Sequence, residues 1–127
     1  MAVIAALLPA ACGDEDEPAE EESDANEVDG LPIVEGAPEV VVVGIDFAFE
    51  PAVLNLRAGE AVNVVFQVSE GGHNLVVEGP ARFALPIIDE GEVTRGALTI
   101  SEPGTYEMLC LVPGHVDEGM VGQVEVA

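Results

Sequence analysis

From Val40 onward the chain alternates apolar and polar positions with a period of two. Val62, Val64, Phe66 and Val68 recur at every second residue, which is the pattern of a strand with one buried face. Val40 to Phe49 is rich in β-branched and aromatic residues and predicts a first strand, and Val53 to Leu56 predicts another after the break at Pro51. Further strands are expected at His73 to Val77, Arg82 to Ile87, Glu92 to Ile100, Thr105 to Cys110 and Val121 to Val126. Turn signals separate them: Ala58-Gly59-Glu60, Glu70-Gly71-Gly72, Glu78-Gly79-Pro80, Asp89-Glu90-Gly91 and Glu102-Pro103-Gly104. No part of this stretch shows a helical period. Seven or eight short strands at this rhythm predict an all-β domain over residues 39–127, a Greek-key β-sandwich or barrel.

The pattern upstream is different. Residues 1–11 are almost wholly apolar, too few to span a bilayer, and they end in Leu8-Pro9-Ala10-Ala11-Cys12. This resembles a bacterial or archaeal lipoprotein signal, in which small residues precede a cysteine that becomes the lipid-bearing first residue. Residues 1–11 therefore read as a signal-peptide remnant and Cys12 as the lipidation site. Pro9 stands where Leu is usual, and no Lys or Arg precedes the apolar run, so the true start codon is expected upstream of Met1. A plain thiol in a frayed tail, or a disulfide from Cys12 to Cys110, are the other readings, and the disulfide would consume Cys110. Residues 12–38 are mostly Glu, Asp, Pro and Ala, a composition too poor in apolar surface to offset the entropy of ordering. They predict an acidic, self-repelling and disordered tether.

Charge narrows the choice of partners. The chain of 127 residues holds 25 acidic residues against three Lys and Arg, a formal net charge of -22. Such a surface repels nucleic acid, so no nucleic-acid role is expected, while cationic partners stay open. About half of the acid lies between Asp14 and Glu39; the remainder belongs to the domain, for docking to a basic partner or for life at high salt.

The candidate chemistry lies near the end of the chain. Cys110, His115 and Met120 stand in the order Cys-x4-His-x4-Met, and the other of the two histidines, His73, lies upstream in Gly71-Gly72-His73-Asn74. One thiolate, two imidazoles and a weak thioether are the donor set of a mononuclear blue-copper centre, with the two His and the Cys in a trigonal plane and Met at a longer axial distance. A Pro113-Gly114 turn is expected to swing His115 back beside Cys110, and a turn at Gly119 to present Met120. His73 has to arrive from another strand, because one loop cannot enclose the ion. A lone His or Met is more often a core or surface residue than a ligand, but these four together at these offsets point to the site.

On these residues the segment Val40 to Val126 resembles the cupredoxins, small blue-copper domains: Cys110-Leu111-Val112-Pro113-Gly114-His115 is similar to the azurin ligand loop, and the gap to Met120 to that of auracyanins. The resemblance implies one copper ion per chain held by His73, Cys110, His115 and Met120. It implies that Asn74 ties the two ligand-bearing segments together and that the carbonyl of Gly72 approaches the metal from a distance. The family often has Ser or Thr after the cysteine. Here that residue is Leu111, which leaves its backbone to meet Asn74. Val112 keeps a backbone N–H where some cupredoxins have Pro, and with Asn74 it is expected to donate to the sulfur and raise the reduction potential.

The function implied is single-electron transfer outside the cytoplasm, by a monomer that is lipid-anchored to a membrane, between redox proteins such as c-type cytochromes or a membrane oxidase or reductase. A copper enzyme needs a second histidine-rich site, and none remains once His73 and His115 are used. A binuclear centre needs two cysteines in the loop, and this loop has Cys110 alone. An extracytoplasmic copper carrier or storage protein is the live alternative.

Overall fold

The computed structural model describes residues 26–79 and 82–127. The expected signal remnant, the expected lipidation site Cys12 and the first part of the predicted tether lie outside the described residues.

Among the described residues nine strands form two packed sheets: β1 (Glu39–Ile45), β2 (Ala48–Glu50), β3 (Val53–Leu56), β4 (Val62–Val68), β5 (Gly72–Val77), β6 (Phe83–Asp89), β7 (Val93–Leu98), β8 (Gly104–Leu109) and β9 (Val121–Val126). The sheets run β2-β1-β4-β7 and β3-β9-β8-β5-β6. The expected β-sandwich is present, with one strand more than predicted. The run Val40 to Phe49 is not a single strand: Asp46 and Phe47 make a turn, and β2 folds back antiparallel on β1 with Gly44 opposite Phe49. β1 and β3 also make parallel pairs, with β4 and β9 respectively.

Alternation decides which side chains face the space between the sheets. Val64 and Phe66 of β4 and Val42 of β1 meet Leu75 of β5, Leu85 and Ile88 of β6, Met108 of β8 and Val124 of β9 in one core, all essentially without solvent contact. Phe49 packs against Phe66 with ring centroids 6.1 Å apart. Burying side chains of this size stabilises the fold by roughly 1.5–3 kcal/mol each before entropy is subtracted.

The tether expected over residues 12–38 is corrected at its C-terminal end. Residues 26–34 lie along β7, the edge strand of the four-stranded sheet: Val28 N–H donates to Val93 O, Leu31 N–H to Arg95 O and Ala97 N–H to Pro32 O. Leu31 and Val28 pack on the core, Arg95 pairs with Glu27 at 2.9 Å, and the Asn63 side chain both accepts from Val34 N–H and donates to Val34 O. A few apolar residues, set at the right points among the acids, are enough because the backbone bonds to an exposed sheet edge are already on offer. This contact also explains why Asn63, on the outer face of β4, is buried.

Candidate metal centre

β8 and β9 form a regular antiparallel ladder in which Leu109 stands opposite Val121. One step further along the same register, Cys110 N–H donates to Met120 O at 3.4 Å. Cys110 and Met120 are thus a cross-strand pair at the open end of the ladder, both fully buried and side by side on one face. The loop between them closes on itself. His115 N–H donates to Val112 O across Pro113-Gly114, and Gly114 has φ +89°, the left-handed value that a type II turn requires at its third residue. Met120 N–H then donates to His115 O at 3.0 Å, so the loop residue is bonded to the strand that follows it.

His73 comes from β5, where alternation turns its ring inward and Asn74 outward. β5 and β8 pair at Val77 with Met108 and at Val76 with Leu109. Continuing that register would set Asn74 opposite Leu111, but the two backbones part there, and the Asn74 side chain fills the gap by accepting from Leu111 N–H at 2.8 Å. The expected link through the Leu111 backbone is therefore present. No hydrogen bond from Val112 N–H to the sulfur is found among the described residues; Val112 gives its carbonyl to the turn. Gly72 precedes His73 and pairs with Asp89 of β6.

The outcome is a convergence of three donor atoms. His73 Nδ1 and His115 Nδ1 are 3.1 Å apart, and Cys110 Sγ lies 3.4 Å from His115 Nδ1 and 3.9 Å from His73 Nδ1. Bonds of about 2.0–2.3 Å from N and S donors to one ion put the donors about 3.3–3.8 Å from one another in tetrahedral or trigonal geometry. The triangle, with sides of 3.1, 3.4 and 3.9 Å, is within a few tenths of an ångström of that size, so the residues present fit a single metal ion. Their electronic state fits too. His73 Nε2 lies 2.8 Å from Glu70 O, a contact that needs a proton on Nε2 and so leaves the Nδ1 lone pair free. A thiolate and two imidazoles favour copper or zinc, and with the thioether of Met120 at hand the set is that of a blue-copper centre. Met120 is fully buried, and its backbone is bonded to that of Cys110.

Two residues that the sequence reading did not single out complete the surroundings. Asp46 Oδ1 is 3.1 Å from His73 Nε2. The ring of Phe47 meets His115 edge-on with centroids 5.0 Å apart. A signal for both was present: Asp46 interrupts an otherwise apolar run, and an acid there argues for a turn. Around the half-buried His115 the surface is apolar, with Leu111 56 % exposed and Phe47 38 % exposed beside Val116.

The profile of the copper-binding proteins of the plastocyanin/azurin family matches residues 38–127. A curated relative, the copper-resistant cuproprotein CopI of Rubrivivax gelatinosus, is 31 % identical over 107 residues, 68 % of this chain; the chain spans 64 % of that relative's length. Among solved structures, auracyanin B is similar with a TM-score of 0.63 and 25 % identity, over 77 % of this chain and 96 % of that one. Plastocyanin from Dryopteris crassirhizoma is similar with a TM-score of 0.50 and 26 % identity, over 69 % of this chain and 100 % of that one.

Proposed function

The chain belongs to the plastocyanin/azurin family of copper-binding proteins, and we propose that it is a blue-copper electron carrier and not an enzyme, with His73, Cys110 and His115 as the equatorial ligands and Met120 as the axial one. The observation that carries this reading is the triangle of His73 Nδ1, Cys110 Sγ and His115 Nδ1 around one point, with His73 and Cys110 fully buried. Bound copper supplies a one-electron couple between Cu(II) and Cu(I). The chain supplies stiffness: Cys110 and Met120 are paired across β8 and β9, His115 is bonded to Met120 through its carbonyl, and Asn74 ties β5 to the same loop. Donors fixed in this way rearrange little when the charge of the ion changes. His73 is sealed in the core while His115 reaches toward the apolar surface, so the His115 edge is the path for the electron.

Purified protein is expected to hold one copper per chain, with an intense visible band in the Cu(II) form that Cys110→Ser abolishes. Zinc, or two coppers per chain, in native material would refute the reading. The similarity to the copper-resistance protein of Rubrivivax gelatinosus favours a second reading, extracytoplasmic copper carriage or storage. A carrier of Cu(I) has no such band and gives up its metal to a chelator readily. Function outside the cytoplasm on a lipid anchor at Cys12 belongs to the proposal, and an unmodified Cys12 in the mass spectrum of native protein would remove the anchor from it.

A further inference from the structure

The turn between β1 and β2 brings an acid to the outer edge of the buried imidazole. Asp46 Oδ1 stands 3.1 Å from His73 Nε2, the nitrogen that faces away from the other donors. Room for this contact is built into the chain. A Cβ on Gly71 would lie 2.5 Å from Asp46 Oδ1 and 3.1 Å from His73 Nε2, and Gly71 has φ +78°, where side chains are strained. The turn is also held from the other side, since Asp46 N–H donates to Glu70 Oε1 at 3.3 Å while Glu70 O takes the short contact with Nε2. Nothing in the packing of the sandwich requires an acid at this point, because the Asp46 side chain is 46 % exposed.

Resting on the copper reading above, we propose that Asp46 is a positioning residue that sets a negative charge against the outer nitrogen of His73 and thereby biases the centre toward Cu(II). The Nε2–H is taken by Glu70 O, and the negative charge of Asp46 3.1 Å from Nε2 raises the electron density of the ring and makes Nδ1 a stronger donor. A stronger donor stabilises the doubly charged ion more than the singly charged one, so the reduction potential is held down. Water around the half-exposed carboxylate screens the effect, which places it at the lower end of the 10–100-fold typical for outer partners of a metal-bound histidine.

Asp46→Asn keeps the size and an acceptor oxygen and removes only the charge. Cu(II) affinity is expected to fall about tenfold while Cu(I) affinity holds, a rise of about 59 mV in potential for a one-electron couple, with the visible band retained. The control is Asp89→Asn, which changes the net charge equally from a site across from Gly72 and is expected to leave the potential in place. In copper-free protein the 15N resonance of His73 Nε2 is expected to shift in Asp46→Asn and to stay in Asp89→Asn. Equal potentials for the two variants, or an unmoved Nε2 resonance, would overturn the proposal. A wild-type protein without the visible band would overturn the copper reading and this bias with it, and the Nε2 shift in copper-free protein would show that the contact itself stands.

Discussion

Met120 shows how much a single side chain decides. It is fully buried beside Cys110, and its backbone is bonded to both Cys110 and His115, so the thioether can be changed without loosening the loop. Met120→Leu is nearly isosteric and is expected to keep the fold and the colour while raising the potential, because the axial donor is gone; spectroelectrochemistry reads both at once, and a lower potential would contradict an axial role. The ligand candidates were legible in the sequence because each is a rare residue type here: the chain has two His and three Met. The Asn74 contact was legible through the family resemblance, and the side chain meets the backbone of Leu111 as expected. The turn at Asp46 and Phe47 had a signal in the sequence, but their contacts with the two imidazoles were not legible, because they lie far from the ligand loop in sequence and only the β1–β2 turn brings them there. The Val112 donor to sulfur was expected and is not found, because a strand register had to be known before the direction of that N–H could be.

Among the elements, the strands with strict alternation were the easiest to read, and β3, β4 and β9 fall where the pattern puts them. The errors share a cause, which is that composition averages over the residues that matter. The run Val40 to Phe49 is uniformly β-forming, and the single acid that breaks it carries little weight in a window of ten. Residues 26–34 look too acidic to fold, yet Val28 and Leu31 reach the core and the backbone completes the edge of β7. The Asn63 side chain is the clasp of this segment, with two hydrogen bonds of 2.9 and 2.8 Å to Val34. Asn63→Ala is therefore expected to cost about 1–3 kcal/mol and to lower the urea midpoint of the domain. Protection of the Leu31 and Val28 amides from hydrogen exchange is expected to fall with it, and unchanged protection would show that the segment is held elsewhere.

For the whole molecule the governing quantity is a net charge of -22, and beside the metal centre the exposed side chains of Phe47, Leu111 and Val116 form apolar surface around His115. Long-range attraction is expected to gather a cationic redox partner, such as a c-type cytochrome, and the bare patch to seat it. Raising salt from low ionic strength should slow association with such a partner by roughly tenfold or more, and Leu111→Glu should slow electron transfer at constant salt without altering the visible spectrum. Stopped-flow mixing measures both, and rates indifferent to salt and to Leu111→Glu would mean that the electron enters elsewhere. The sheet order has a further consequence, for the timing of assembly. β9 lies between β3 and β8, and β3 has no other neighbour in its sheet, so the five-stranded sheet stays in two parts until the last strand in chain order arrives. Cys110, His115 and Met120 also fall in this late stretch. Pairing across so long a separation is slow, and a chain still emerging from the ribosome or crossing a membrane holds His73 alone. The four donors are thus held together only once β9 has docked between β3 and β8, so metal affinity is expected to rise sharply at that last step of folding.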